Sequence, residues 1–190
     1  MRILGIDPGS RITGYGLIET APNGARHVEN GGIFPPTQQS FSDRIHYIFN
    51  EVGRLIERFN PDAVALEDIF VAKNVSSTLK LGHARGAIMV AVAQTNTPLF
   101  EYTALQVKQA VTGYGHADKV QIQKMVRALL KLPEAAFADA SDALAVALCH
   151  SHSYKLKQKI SPSPAKPLTA SALRAKAART IAGSTKLRRR

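Results

Sequence analysis

Four acidic side chains stand where the chain would ordinarily place apolar ones. Asp7 closes "RILGID", Glu67 follows "AVAL", and Asp139 and Asp142 sit three apart at the head of "ADASDALAVAL". A carboxylate in apolar surroundings costs several kcal/mol unless something compensates it. Four brought together cannot all stay ionised without a cation. Mg²⁺ accepts oxygen ligands and keeps open positions for water and phosphate. Two such ions about 3.5–4 Å apart hold both the attacking and the leaving oxygen of a phosphodiester. The chemistry these residues suit is therefore phosphoryl hydrolysis, with no need for His or Cys.

Each acid also has an ordinary structural reading. Asp7-Pro8-Gly9-Ser10 is good turn chemistry. Asp139 can cap a helix, and Asp142 can sit in its first turn where the dipole favours it. Glu67 can pair with a buried Arg, or Asp68 can be the acid that points into the site. Taken together these readings need four separate coincidences, and the metal site needs one.

The elements that must position the acids can be read from periodicity. "RILGID" and "GYGLIE" are apolar runs joined by a Pro/Gly/Ser turn, which predicts an antiparallel pair, and "ARHVENGGIFPP" predicts a third strand closed by Pro35-Pro36. Ser42 reads as a helix N-cap, and Ile45, Ile48, Phe49, Val52, Leu55, Ile56 and Phe59 fall at helical steps. "PDAVALEDI" then predicts a strand parallel to an earlier one. A long helix is expected from Val75 to Gln94, a strand at "PLFEY", and helices over 104–111, 119–130 and 139–150. The sum is a mixed α/β sheet, three antiparallel strands followed by parallel ones, with helices on both faces. Glu67 then lies at the carboxyl end of a parallel strand, where open α/β sheets place their sites. Asp139 and Asp142 share one helix face, and Val146 and Cys149 continue it.

The 190 residues suffice for one domain with a tail. A single cysteine excludes an intramolecular disulfide and a cysteine-built zinc site. No apolar run approaches the roughly 18–20 residues of a membrane span, and the N-terminus lacks a signal-peptide pattern, so a cytoplasmic protein is expected. The net charge of +11 lies entirely beyond residue 153: residues 154–190 carry 11 basic residues and no acid, against 14 of each before them. We therefore expect a domain over 1–153 and a basic, disordered tail over 154–190 that attracts polyanions, nucleic acid first.

Four blocks, "LGIDPGSRITGYG", "LEDIFVAKNVSSTLKLGHARG", "FEYTALQVKQAVTGYG" and "ADASDALAVAL", resemble in order those of the bacterial RuvC-type Holliday junction resolvases. The resemblance runs from Met1 to about His150. It implies a ribonuclease H-like fold and a homodimeric, Mg²⁺-dependent endonuclease, with two ions per subunit and Mn²⁺ able to substitute. Such an enzyme makes paired, symmetric nicks in four-way DNA junctions, leaving 5′-phosphate and 3′-hydroxyl ends, and works with the RuvA and RuvB branch-migration proteins.

By motif position Asp7, Glu67, Asp139 and Asp142 would be the catalytic and metal-binding acids, with Asp7 bridging both ions. Phe70 matches an aromatic that stacks on a base near the junction, an interaction worth about 1–3 kcal/mol; core packing is its ordinary alternative. Lys73, Arg85, Lys108 and Lys119 fall in matching blocks and are candidates for phosphate contacts, or else solvated surface charges. The helix from Val75 would be the dimer element.

Three other classes compete with this reading. An actin-like ATPase or sugar kinase also begins with an Asp-x-Gly hairpin, but needs two such lobes. An idle junction-binding protein has no electrostatic reason to keep four clustered acids. A ribonuclease H-like nuclease acting on RNA or flaps differs only by the resemblance itself.

Overall fold

The computed structural model describes residues 1–22, 24–68 and 74–160, with side chains through Leu156. Strands β1 (Arg2–Asp7), β2 (Thr13–Ala21), β3 (Gly24–Ile33), β4 (Ala63–Glu67) and β5 (Leu99–Tyr102) form one sheet in the order β3-β2-β1-β4-β5. The β1–β2 and β2–β3 pairs are antiparallel, and β1–β4 and β4–β5 are parallel, as the run of hairpins and crossovers implied.

Alternation along the strands divides the core in two. Leu4, Ile6, Leu17, Val64 and Leu66 point to the face covered by α1 (Phe41–Phe59) and α2 (Val75–Gln94), where they meet Ile48, Val52, Ile88 and Val92. Ile3, Ile18 and Ala65 point to the other face, covered by α3 (Ala104–Thr112), α4 (Lys119–Leu130) and α5 (Ala138–Ile160). Asp7 and Glu67 continue the second set, so both acids lie on the α5 face.

Two boundaries differ from the sequence reading. Helix α1 is capped by Ser40 and not Ser42: the Ser40 hydroxyl accepts from the Asp43 amide at 3.2 Å. Ser42 already lies within the first turn, although its hydroxyl touches that of Ser40 at 2.8 Å. Helix α5 runs to Ile160, well past the helix end expected at residue 150. Lys155, counted among the tail's bases, donates to the carbonyls of Ala21 and Gly24 at 2.8 Å and closes the β2–β3 hairpin. Among the described residues, no helix is long and apolar enough to cross a membrane.

Candidate active site

The site is built where β1 and β4 end. In the β1–β4 register Ile6 lies beside Leu66, which leaves Asp7 and Glu67 as the next residues of two adjacent strands, on one face. Beyond Asp7 the turn is tied off locally. The buried Thr13 hydroxyl donates to Gly9 O at 2.8 Å, and an Arg44 guanidinium N–H donates to the Ser10 carbonyl. Asp7 therefore ends a strand whose exit is held from two sides.

Helix α5 brings the other two acids. Gly14 pairs with Asp7 across β1–β2, and a Cβ placed on Gly14 would run into the Asp139 carbonyl and come within 3.1 Å of Ala140 N. One turn along, a Cβ on Gly5 would strike Ala143 O and lie 2.8 Å from Ala147 N. The helix thus rests its backbone directly on the sheet. That close approach sets Asp139 and Asp142 beside Asp7 and Glu67, and all four carboxylates are partly buried.

Electrostatics reflect the crowding. Burial first, then the negative charges of Glu67 and Asp142, push the Asp7 carboxyl up to about 8, with Asp139 adding to the effect. In the absence of a cation the crowding thus favours the protonated form of Asp7, and its interaction with Glu67 adds to the effect. Burial also raises Glu67, offset in part by that interaction and by the Lys119 and Lys108 charges.

Those two lysines stand with Glu67, Asp142, Val107 and Ile122 around a cleft of about 230 Å³. Asp7 and Asp139 do not line this cleft. Lys119 Nζ lies 2.8 Å from Asp142 Oδ2, and this bond, with the Asp139 and Asp7 charges, raises the ammonium's pKa. Its position is set by the Asp118 capping box at the head of α4. Thr103 and Gln106 form a second capping box at the head of α3, the helix that carries Lys108.

The donor chemistry fits a hard divalent ion: every candidate ligand is a carboxylate oxygen, and the group's mutual repulsion is what a cation would relieve. No three such groups yet converge into a finished cage among the described residues. Asp142 is turned onto Lys119.

Of the remaining sequence candidates, Phe70 and Lys73 lie outside the described residues. Arg85 stands apart from the acids, on the opposite face of the sheet. Its guanidinium meets Glu101, and Nη2 lies 3.4 Å from Asp68 Oδ1. Sequence reasoning did not anticipate this grouping. The one available signal was the alternation that puts Glu101 on the same face of β5 as Leu99, and it becomes useful only once the β4–β5 register is known.

The family model of the crossover junction endodeoxyribonuclease RuvC matches residues 3–150. The protein of that name from Geobacter sulfurreducens is 58% identical over 151 residues, spanning 80% of this chain and 92% of its own length. Among solved structures, Thermus thermophilus RuvC in complex with a Holliday junction substrate has a TM-score of 0.78 at 34% identity, covering 83% of this chain and 96% of that one. The yeast mitochondrial Holliday junction resolvase Ydc2, at a TM-score of 0.60 and 16% identity over 82% of this chain and 80% of its own, shares the fold. With that family's pattern running through both ends of the acidic site, the chain belongs to the RuvC family of crossover junction endodeoxyribonucleases.

Proposed function

We propose that this protein resolves four-way (Holliday) DNA junctions in recombination and repair by paired, symmetric phosphodiester hydrolysis, leaving 5′-phosphate and 3′-hydroxyl ends. The observation that carries the reading is that Glu67, Asp142 and Asp139 lie near enough to Asp7 to raise its carboxyl, with Glu67 and Asp142 on a cleft edged by Lys108 and Lys119. The four acids would hold Mg²⁺, two ions per subunit, with Mn²⁺ as a substitute. Bound there, divalent ions supply Lewis acidity and an activated water for in-line displacement at phosphorus.

The chain's own residues do the rest. Asp7, whose carboxyl is pushed up by burial and by the neighbouring acids, must be in its anionic form to act as a ligand. Asp142 must part from Lys119, which frees that ammonium for a phosphate oxygen. Lys108 adds a second positive charge at the same rim, and both orient the backbone of the cut strand. Phe70 and Lys73 would extend this DNA surface.

A homodimer suits a substrate with two equivalent strands to cut. The outer side of α2 supports that assembly: Val75, Leu79 and Val90 are exposed, and a Cβ on Gly82 or Gly86 would meet open space among the described residues. Cooperation with RuvA and RuvB, and a cytoplasmic location on chromosomal DNA, belong to the same reading. The basic tail would add non-specific attraction, so deletion after Lys159 should weaken DNA binding and flatten its salt dependence.

The test compares end-labelled mobile and immobile four-way junctions with linear duplex, in Mg²⁺ or EDTA. Paired nicks in the mobile junction alone, abolished by EDTA and by Asp7→Asn, are expected. Tight junction binding without nicks would make the protein a binding module, and equal cutting of duplex would remove the structural selectivity.

A further inference from the structure

Arg85 is an unusual residue to find on the face of the sheet away from the acids. Its side chain is only 16% exposed, and its Nε is buried with no hydrogen-bond partner among the described residues. Nη1 reaches Met89 Sδ at 3.4 Å, while Nη2 meets both Glu101 and Asp68. A guanidinium held between two carboxylates is poorly placed to reach a phosphate.

What it holds is the end of the strand that carries Glu67. Asp68 directly follows Glu67, and its amide donates to Tyr102 O at 2.8 Å. Glu101 lies beside Leu66 in the β4–β5 register, so the two carboxylates flank Glu67 along adjacent strands and point to the α2 face. Glu67 itself points to the opposite face. The pairing of β1 with β4 runs only as far as Ile6 and Leu66, one residue short of Glu67. Beyond that point β5 continues to hold the strand end, and Arg85 reaches Asp68 and Glu101 there. The guanidinium offsets the repulsion between these two carboxylates at the ends of neighbouring strands, next to the backbone that aims Glu67.

We infer that Arg85 is a positioning residue for the cleavage reaction: it joins Asp68 to Glu101 from α2 and so fixes the end of β4 from which Glu67 enters the site. This rests on the proposed junction-cleaving activity. It assigns Arg85 a different role from the phosphate contact that motif position suggested.

The test uses the full-length protein and separates the two roles. Junction Kd is measured in Ca²⁺ over a range of salt, and single-turnover cleavage at saturating junction is measured in Mg²⁺. For Arg85→Met, Kd and the salt slope should stay within about twofold of wild type, while the cleavage rate falls by between about tenfold and a hundredfold, the scale of a catalytic group displaced by up to an ångström. The Mg²⁺ concentration giving half-maximal rate should rise. Arg85→Lys, which keeps one charge but loses the fork, should recover part of the rate.

Glu101→Gln removes one carboxylate and leaves Arg85 in place. It should lower the rate by a smaller factor with Kd unchanged, and it carries the test if Arg85→Met does not fold. Weakened binding with a salt slope reduced by about one would make Arg85 a phosphate contact and overturn the inference. Unchanged cleavage in folded variants would overturn it too. A wild type that binds junctions and cuts none would instead remove the proposed function.

Discussion

On one face of the sheet, α1 and α2 meet β1, β2 and β4 through long and branched aliphatic side chains: Ile48, Val52 and Ile88 against Leu4, Ile6, Leu17 and Leu66. On the other, α5 lies against Gly5, Gly14 and Gly16, so close that a Cβ on any of them would strike the helix. The first kind of contact is made by side chains that can change rotamer. The second is made by backbone, which cannot yield without moving the whole helix. All four acids belong to the second face. Carboxylates that must present a common ligand set need their scaffolds held to a fraction of an ångström, and backbone contact supplies that where interdigitated side chains would leave more play.

The sharpest way to break this comparison is at the acids themselves. Asp7→Asn should lower junction cleavage by about three orders of magnitude or more, the loss of several kcal/mol of charge stabilisation, while leaving junction binding in Ca²⁺ close to wild type. Gly14→Ala tests the close-packed scaffold without touching a carboxylate. Its Cβ would displace the backbone at Asp139, so cleavage should fall about a hundredfold, with about 2–3 kcal/mol lost in urea unfolding from overpacking. Loss of stability with full activity in the folded fraction would mean that the acids tolerate helix movement.

A smaller effect concerns pH. The Asp7 carboxyl is raised to about 8 in the folded, metal-free protein, from 3.8 in a model chain. The native state therefore binds more protons than the unfolded one between those values. Asp7 stabilises most below about 4, and its contribution is lost as pH rises through about 8. Relative to its value below about pH 4, the Tm of Asp7→Asn minus that of wild type should grow as pH rises from about 4 and level off above about 8, in EDTA. A constant difference would mean that Asp7 is not protonated at neutral pH.

The smallest effect is expected on the aliphatic face. Ile88→Val should cost about 1 kcal/mol and leave the cleavage rate unchanged, since its neighbours can close around the missing methyl.

Much of the site was legible in local pattern. The apolar runs Ile3-Leu4-Gly5-Ile6 and Ala63-Val64-Ala65-Leu66 already put Asp7 and Glu67 at the ends of buried strands. The three-residue spacing of Asp139 and Asp142 put them on one helical face. The misplaced cap of α1 shows the limit of such patterns. Ser40 and Ser42 are both good capping residues, and only the backbone decides which hydroxyl faces a free amide. The length of α5 was missed for a related reason: the Lys- and Gln-bearing segment after His150 has no apolar periodicity to mark it as helix.

By itself, the sequence determined the order of strands and helices, the two faces of each strand, the four acids and the family. These follow from period-2 and period-3.6 patterns and from motifs that each lie within a few residues. Only the tertiary structure decided that α5 touches the sheet through glycine, that burial and the charges of Glu67 and Asp142 push the Asp7 carboxyl up, that Lys119 pairs with Asp142, and that Arg85 is turned to Asp68 and Glu101. Each of these joins residues dozens of positions apart or on separate elements. Their energies depend on distance and burial, which no local pattern encodes.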